Sequence, residues 1–360
     1  MRQGADLSQL IYGQDYIRYD TMYGMTMHAF NGTPEGNSDF VNVFVDVNSM
    51  LRFMYSNIPY QMQDYTCITA SMVNLCAHIK SYFWSRHMTF AKVFLVYGDN
   101  NPAGMMPGYN GHYLTAVEAK KELQPIVEAS MDLLNILMPY VNECYFVRAT
   151  NVETAAIIYD MIEILASTGG PNIIYTKDSF DYQLVALCPR TFIYRPKKSN
   201  SMDVSWDVTK TTLIEKYRHE HGLVHRPDLN GGIPYYMLPF IMAMSGLRSR
   251  DILGTRNITD AMKTIMGSTR DTRADNLGSM LILGESSLEF WGSLGITNPD
   301  TAQVCMKNLV TLNVLTHVRL LRSSNYKHIY QNVVNLYDPD GFKEINNKYF
   351  IHYPLDVERL

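Results

Sequence analysis

The chain has 360 residues, 46% of them hydrophobic and 18% charged, with a formal net charge of -4. That is enough for one large or two smaller globular domains, and the slightly acidic balance argues against a protein that coats nucleic acid while leaving room for a local basic patch. No apolar run is long enough to span a bilayer and the first residues carry no apolar signal region, so no membrane insertion and a cytoplasmic location are expected.

In chain order, residues 1–40 are rich in Tyr, Met and Gly, with turn signals at Asn31-Gly32 and Pro34-Glu35-Gly36-Asn37. They read as an N-terminal extension that packs on a later surface or on a partner. Val43, Phe44, Val45 and Val47 form a β-branched and aromatic run interrupted by Asp46, which predicts a buried strand running into a loop. A carboxylate at the carboxyl end of a parallel strand faces the crevice where α/β sheets hold ligands, although such an Asp equally well caps a following helix. Residues 66–88 place Ile68, Met72, Leu75, Cys76 and Ile79 at helical spacing. Lys92 to Asp99 reads as a second strand ending in a carboxylate. A Gly/Pro/Asn loop follows from Asn100 to Gly111, a flexible tip without the Lys-Ser/Thr signature of a phosphate loop. Residues 114–139 predict one or two helices broken near Pro125, and Cys144 to Val147 a third strand. Val152 to Ala166 is amphipathic and helical, ended by Gly169-Gly170-Pro171.

Asn172 to Thr176 predicts a fourth strand and Thr191 to Arg195 a fifth. From Thr209 the pattern turns mainly helical, through Tyr217, Met237 to Met244, 259–266 and about 275–325. The stretch Phe342 to Pro354 predicts a further strand or two. Strands alternating with helices argue for a central, mostly parallel sheet, an α/β fold followed by a helical C-terminal subdomain. The five cysteines, Cys67, Cys76, Cys144, Cys188 and Cys305, form no C-x-x-C pair and read as reduced core thiols.

The order of motifs resembles the 5′-nuclease (flap endonuclease, PIN-like) family in its compact phage and bacterial form, over roughly residues 40–268. The motifs are the strand ending in Asp46, the strand ending in Gly98-Asp99, Val152-Glu153 opening a helix, and Ile174-Tyr175-Thr176-Lys177-Asp178 with Gln183-Leu184-Val185. Ile214-Glu215-Lys216-Tyr217, Met244-Ser245-Gly246 and Asp251-Ile252-Leu253-Gly254 complete the set. The resemblance implies a 41–205 flap-endonuclease-like core, a 206–330 helical subdomain with an eroded helix–hairpin–helix, and a 331–360 C-terminal addition.

The family's chemistry is two-metal phosphodiester hydrolysis, in which clustered carboxylates hold divalent ions by hard oxygen ligands. Against that pattern, Asp46, Asp99, Glu153 and Asp178 remain as vestigial acids. The two aspartate positions after Glu153 are Ala155 and Ala156, a second aspartate near Asp178 falls on Ser179 or Phe180, and Gly246 is followed by Leu247 and then Arg250. An arginine about 4 Å from a divalent ion is repelled by roughly 8 kcal/mol at an effective dielectric of 20. Paired with Asp178 or Glu153, it would turn a metal site into a salt bridge. No metal and no cofactor are therefore expected, and the reading is a pseudo-nuclease. Asn257 and Thr259 stand where the family's hairpin has glycines, and the segment between Asn100 and Asn142 sets Lys120 and Lys121 against Glu118, Glu122, Glu128 and Asp132, which repels phosphate.

What remains points to an adaptor or scaffold that binds other proteins, the extension and the loop at 100–113 being the contact candidates. A bacteriophage recruitment or trafficking factor in the host cytoplasm fits the phage-type form. Nucleic acid is the alternative partner, held without cutting by Arg248, Arg250, Arg256, Arg270 and Arg273; a third reading is a divergent nuclease recruiting Asp181 or Asp251. Two smaller constellations read as structural. His219-Glu220-His221 with His225 lacks the spacing of a helical metal motif, and Arg195-Pro196-Lys197-Lys198 reads as a solvated loop.

Overall fold

In a computed structural model, residues 40–55, 64–87, 90–99, 114–166, 170, 172–188, 191–194, 238–247, 252–257, 260–261, 264–265, 280, 285–323, 330, 333, 336, 338–350 and 355 are described. Five strands carry the architecture: β1 (Phe40–Asp46), β2 (Phe90–Gly98), β3 (Cys144–Ala149), β4 (Asn172–Tyr175) and β5 (Thr191–Tyr194). They form one parallel sheet in the order β3-β2-β1-β4-β5. The chain thus runs outward from β1 to β3 and then returns to the other side of β1. The switch between β1 and β4 opens a crevice at their carboxyl ends, where open α/β sheets hold ligands.

The helices are α1 (Val47–Tyr55), α2 (Tyr65–His87), α3 (Leu114–Leu137), α4 (Thr154–Leu165) and the short α5 (Leu184–Leu187), with 3₁₀ turns at Met138–Tyr140 and Ser179–Gln183. Beyond residue 237 come α6 (Leu238–Ser245), α7 (Leu288–Ser293), α8 (Pro299–Leu312), α9 (Val314–Ser323) and α10 (Pro339–Tyr349). A two-stranded antiparallel ribbon, β6 (Gly246–Leu247) with β7 (Ile252–Leu253), interrupts this helical part.

Side chains alternate across the sheet with period two. Val41, Val43, Val45, Val93, Leu95, Cys144 and Phe146 pack on one face with α1, α2, α3 and α10. Phe44, Phe94, Val96, Val147, Ile174 and Ile193 pack on the other with α4, α5, α6 and α9. Phe44, Phe94 and Tyr145 stack as a ladder across β1, β2 and β3, with ring centroids 5.1 and 4.9 Å apart, the register pairing Phe44 with Phe94 and Phe94 with Tyr145. A third core around Phe240, Met244, Trp291, Cys305 and Leu309 sits among α6, α7 and α8. Arg322 on α9 bonds to the buried Asp160 of α4, which also accepts the Tyr330 hydroxyl at 3.0 Å, so α9 is tied to the sheet layer.

Three expectations are corrected. β1 does not run into a loop but passes straight into α1 at Val47. Pro125 does not break the helix at 114–139, which is continuous from Leu114 to Leu137; Pro125 is exposed, and water can satisfy the carbonyl that its ring leaves unbonded. The strand expected from Phe342 onward is helix α10 up to Tyr349. Its start is fixed by Asp338, whose carboxylate accepts from the Asp340 and Gly341 amides at 3.1 Å, with Pro339 at the first helical position. All five cysteines are free and buried. Among the described residues no helix is long and apolar enough to cross a membrane.

Candidate functional site

The acids that the sequence brings forward converge on the carboxyl edge of the sheet. Asp46 is the last residue of β1 and is 1% exposed. Its Oδ1 accepts the Ser49 amide at 3.1 Å, the N-cap bond of α1, and its Oδ2 accepts the Thr176 hydroxyl at 3.2 Å. Thr176 follows β4 and is wholly buried; its Oγ1 also accepts the Asp178 amide at 2.9 Å and lies 3.3 Å from Ser49 Oγ. Ser49 Oγ in turn accepts the Lys177 amide at 2.7 Å. Both carboxylate oxygens of Asp46 are thus bound into a bridge joining β1, α1 and the turn after β4.

Asp178 is 7% exposed and caps the 3₁₀ turn through the Phe180 amide, 3.1 Å from its Oδ1. Asp99, just beyond β2, accepts the Val152 amide at 3.2 Å. Glu153 occupies the N-cap position of α4, but its side chain makes no capping bond there. Asp181 is wholly buried within the 3₁₀ turn. Each of these five acids takes part in at least one further interaction, so none is free. Between the Asp99 and Glu153 stretches, Gly98 lies so close to the start of α4 that a Cβ there would sit 2.4 Å from the Val152 carbonyl and 2.8 Å from the Thr154 nitrogen. The Gly98 amide donates to Thr154 Oγ1 at 3.1 Å, and Asn48 donates to the Gly98 carbonyl.

Ala155 and Ala156 are wholly buried and belong to the core on the Phe44 face. Gln183, read only as part of a motif, is a buried clip: its Nε2 donates to the Leu312 carbonyl at 2.8 Å and its Oε1 accepts the Val314 amide at 3.2 Å. It therefore satisfies both sides of the break between α8 and α9. Neither Ser49 nor Thr176 was assigned a role at this edge from the sequence. The available signal was Asp46 alone, a residue type that caps helices by accepting the backbone amide three residues on.

Of the five candidate arginines, Arg248, Arg250, Arg270 and Arg273 lie outside the described residues, as does Asp251. So do residues 1–39, the loop at 100–113, the Arg195–Lys198 patch and the 219–225 histidines. Arg256 is described, and its guanidinium is spent on structure: Nη1 donates to Thr264 Oγ1 at 2.9 Å and Nη2 to the Gly295 carbonyl at 3.0 Å. Next to it, Asn257 accepts the Asp260 amide at 2.9 Å and donates to the Asp260 carboxylate at 2.8 Å. The Asp260 amide at this helix start is thus satisfied by a side chain within the corner itself. Gly246, with φ +71°, and Gly254 let the two ribbon strands cross at backbone contact; a Cβ on Gly254 would lie 2.0 Å from the Ser245 carbonyl carbon. Among the described residues, no group of three or more His, Cys, Asp or Glu side chains is placed to hold a metal ion.

No family model matches the sequence, and no curated protein does. The fold does have counterparts among solved structures. The bacteriophage T5 flap endonuclease co-crystallised with metal ions superposes with a TM-score of 0.51 at 11% identity, over 85% of this chain and 98% of that one. The T5 5′-exonuclease with bound zinc ions gives 0.49 at 11% identity, over 87% and 99%. The chain has a 5′-nuclease-like α/β fold, as the order of its motifs implies.

Proposed function

We propose that this protein has kept the fold of a flap endonuclease without its hydrolytic centre and acts as a protein–protein adaptor or scaffold, of the kind that recruits or traffics other proteins in a phage-infected cell. The observation that carries this reading is the use made of Asp46. A ligand to a divalent ion needs a carboxylate oxygen turned toward the ion and the phosphate. Here both oxygens of Asp46 accept hydrogen bonds from this chain's own backbone and hydroxyl groups, and the residue is 1% exposed. Asp99 and Asp178 also spend an oxygen each on backbone amides, and Ala155 and Ala156 bring methyl groups to core positions in the first turn of α4. The described acids fit helix caps better than they fit a two-ion clamp, so no hydrolytic step is assigned to them.

The same reasoning supports a protein partner over a nucleic acid. Arg256 is engaged with Thr264 and Gly295, and the corner that follows it is closed by Asn257 and Asp260. Backbone amides used in this way are not offered to phosphate.

The test is the fluorescence anisotropy of a labelled 5′-flap DNA titrated with the full chain in Mn²⁺ at about 150 mM salt. No rise in anisotropy is expected. A rise that persists makes the protein a non-cleaving DNA binder and overturns the adaptor reading. A rise followed by decay, with shortened products on a denaturing gel, restores a working nuclease.

A further inference from the structure

A parallel sheet covered on both faces calls for near-continuous apolar strands, and at its amino-terminal end this sheet departs from that pattern. Asn42 on β1 pairs with Lys92 of β2 on one side and with Asn172 of β4 on the other, and Asn172 pairs in turn with Thr191 of β5. Lys92 Nζ lies 4.0 Å from the carboxylate of Glu143, the residue before β3. A polar row thus crosses all five strands, one pair below the ladder of Phe44, Phe94 and Tyr145 and, by the period of two, on the same face. Its outer members, Lys92 and Glu143, are partly exposed, whereas Asn42, Asn172 and Thr191 are buried.

At the centre of the row, Asn42 Nδ2 donates to Asn172 Oδ1 at 3.1 Å, a bond between residues 130 apart in sequence. Asn42 Oδ1 is buried and meets no hydrogen-bond partner among the described residues. A buried pair left short of a partner is a poor source of stability, since leucines of similar volume would bury as well and strand nothing. What the pair supplies is discrimination. β1 and β4 meet where the chain returns after building β2 and β3, so their pairing is the seam between the two halves of the sheet. Along that seam Val43, Phe44 and Val45 face Ile173, Ile174 and Tyr175, apolar on both faces. A slip of two residues keeps every side chain on its own face, so the apolar pattern alone does not choose between the registers. The slipped registers set Asn42 opposite Ile174, or Asn172 opposite Phe44, and part the two buried amides. Each amide stranded in this way lowers the population of the slipped state by roughly tenfold.

We propose that Asn42 and Asn172 form the register lock of this seam and that they position the carboxyl edge from the opposite end of the same two strands. In the observed register Val45 faces Tyr175. The residues that follow, Asp46 and Thr176, then meet through the hydroxyl bond of 3.2 Å, and Ser49 Oγ takes the Lys177 amide at 2.7 Å. A two-residue slip moves β4 by about 6.6 Å along β1, about twice the reach of a hydrogen bond, so both links break together. The inference is independent of whether the acid edge has lost its chemistry, because the lock places the same acids in either case.

The experiment compares the full-length wild type with Asn42→Leu, Asn172→Leu, the double variant Asn42→Leu/Asn172→Leu, and Asn42→Thr/Asn172→Thr. Urea midpoints report stability. Methyl resonances of Ile174 and Thr176 report register, through the contact between the Ile174 methyl and the Phe44 ring that the observed pairing imposes. Each single leucine variant should unfold at lower urea than the wild type, since it strands the remaining amide. The leucine double should regain the wild-type midpoint or exceed it. It should also split both methyls into two sets, the minor one at about 10% or more and without the Phe44 contact. The threonine pair, which can hydrogen-bond across the strands, should show a single set as the wild type does. A single set with the Phe44 contact intact in the leucine double places the choice of register elsewhere and overturns the lock. A leucine double that unfolds below both single variants, or does not fold, also overturns it, because the pair then serves stability alone. Splitting in the threonine pair equal to that in the leucine pair does the same, because the hydrogen bond is then not what selects.

Discussion

Removing a carboxylate has opposite thermodynamic signs at a metal centre and at a helix cap. Clustered acids that await ions repel one another, and deleting one relieves the fold. A capping acid satisfies donors that are otherwise stranded, and deleting it costs stability. Asp46 bonds the Ser49 amide and the Thr176 hydroxyl, both inside the protein. Asp46→Ala is therefore expected to destabilise the chain by about 2 kcal/mol, from the lost cap and a buried hydroxyl left short of its acceptor. Asp46→Asn keeps one side-chain oxygen for the Ser49 amide and should cost about half as much. Urea unfolding midpoints at neutral pH measure both. A gain in stability from either substitution would mean that electrostatic crowding, and not capping, dominates this edge, and the metal-centre reading would have to be taken up again.

At the scale of elements, the carboxyl edge depends on close approach between β2 and the start of α4. Gly98 permits it, since a Cβ there would stand 2.4 Å from the Val152 carbonyl oxygen and 2.8 Å from the Thr154 nitrogen, both backbone atoms. Backbone cannot swing aside as a long side chain can. Gly98→Ala should therefore cost about 2–4 kcal/mol, shift α4 away from the sheet, and loosen the Phe44 side of the core before the other side. Thermal unfolding together with exchange of the Ile157–Met161 amides checks this, and a change below about 0.5 kcal/mol would mean that the two elements can separate freely. Much at this scale was legible beforehand. The five parallel strands follow from β-branched runs separated by helical spacing, and the edge acids from their position at strand ends. Two of the misreadings share a cause, in that the apolar pattern was outweighed by a capping carboxylate. The Asp46 carboxylate, by accepting the backbone amide three residues on, turned the expected loop into a capped helix. Asp338 and Pro339 started a helix where apolar residues further on suggested strand. The linkage of Ser49, Thr176 and Lys177 joins positions that no short-range spacing connects.

For the whole molecule, burial of thiols and phenols sets how stability responds to alkali. Burial is the leading cause that raises the thiols of Cys67, Cys76, Cys188 and Cys305 above their ordinary value of 9.0. It likewise pushes the Tyr145 hydroxyl up to about 12, with help from Glu143, and raises Tyr159 and Tyr175 above 10.0. Below the unfolded values both states keep these protons, and the full stability is present. Once the pH passes about 9, the unfolded chain releases thiol protons that the folded chain retains, so the unfolded state binds fewer protons and the free energy of unfolding falls with pH. Tyrosines join from about pH 10, and the contribution of Tyr145 is exhausted only near its folded value of about 12. Urea midpoints measured in reductant at about pH 7.5, 9.5 and 10.5 should therefore decline progressively over the last two steps. Cys188→Ala should lower the midpoint at every pH, because it opens a small gap beneath α4, yet flatten the decline, because one buried thiol no longer titrates in the unfolded chain alone. A decline equally steep in that variant would place the alkaline sensitivity elsewhere, and a flat profile in the wild type would mean that water reaches these groups in the folded protein.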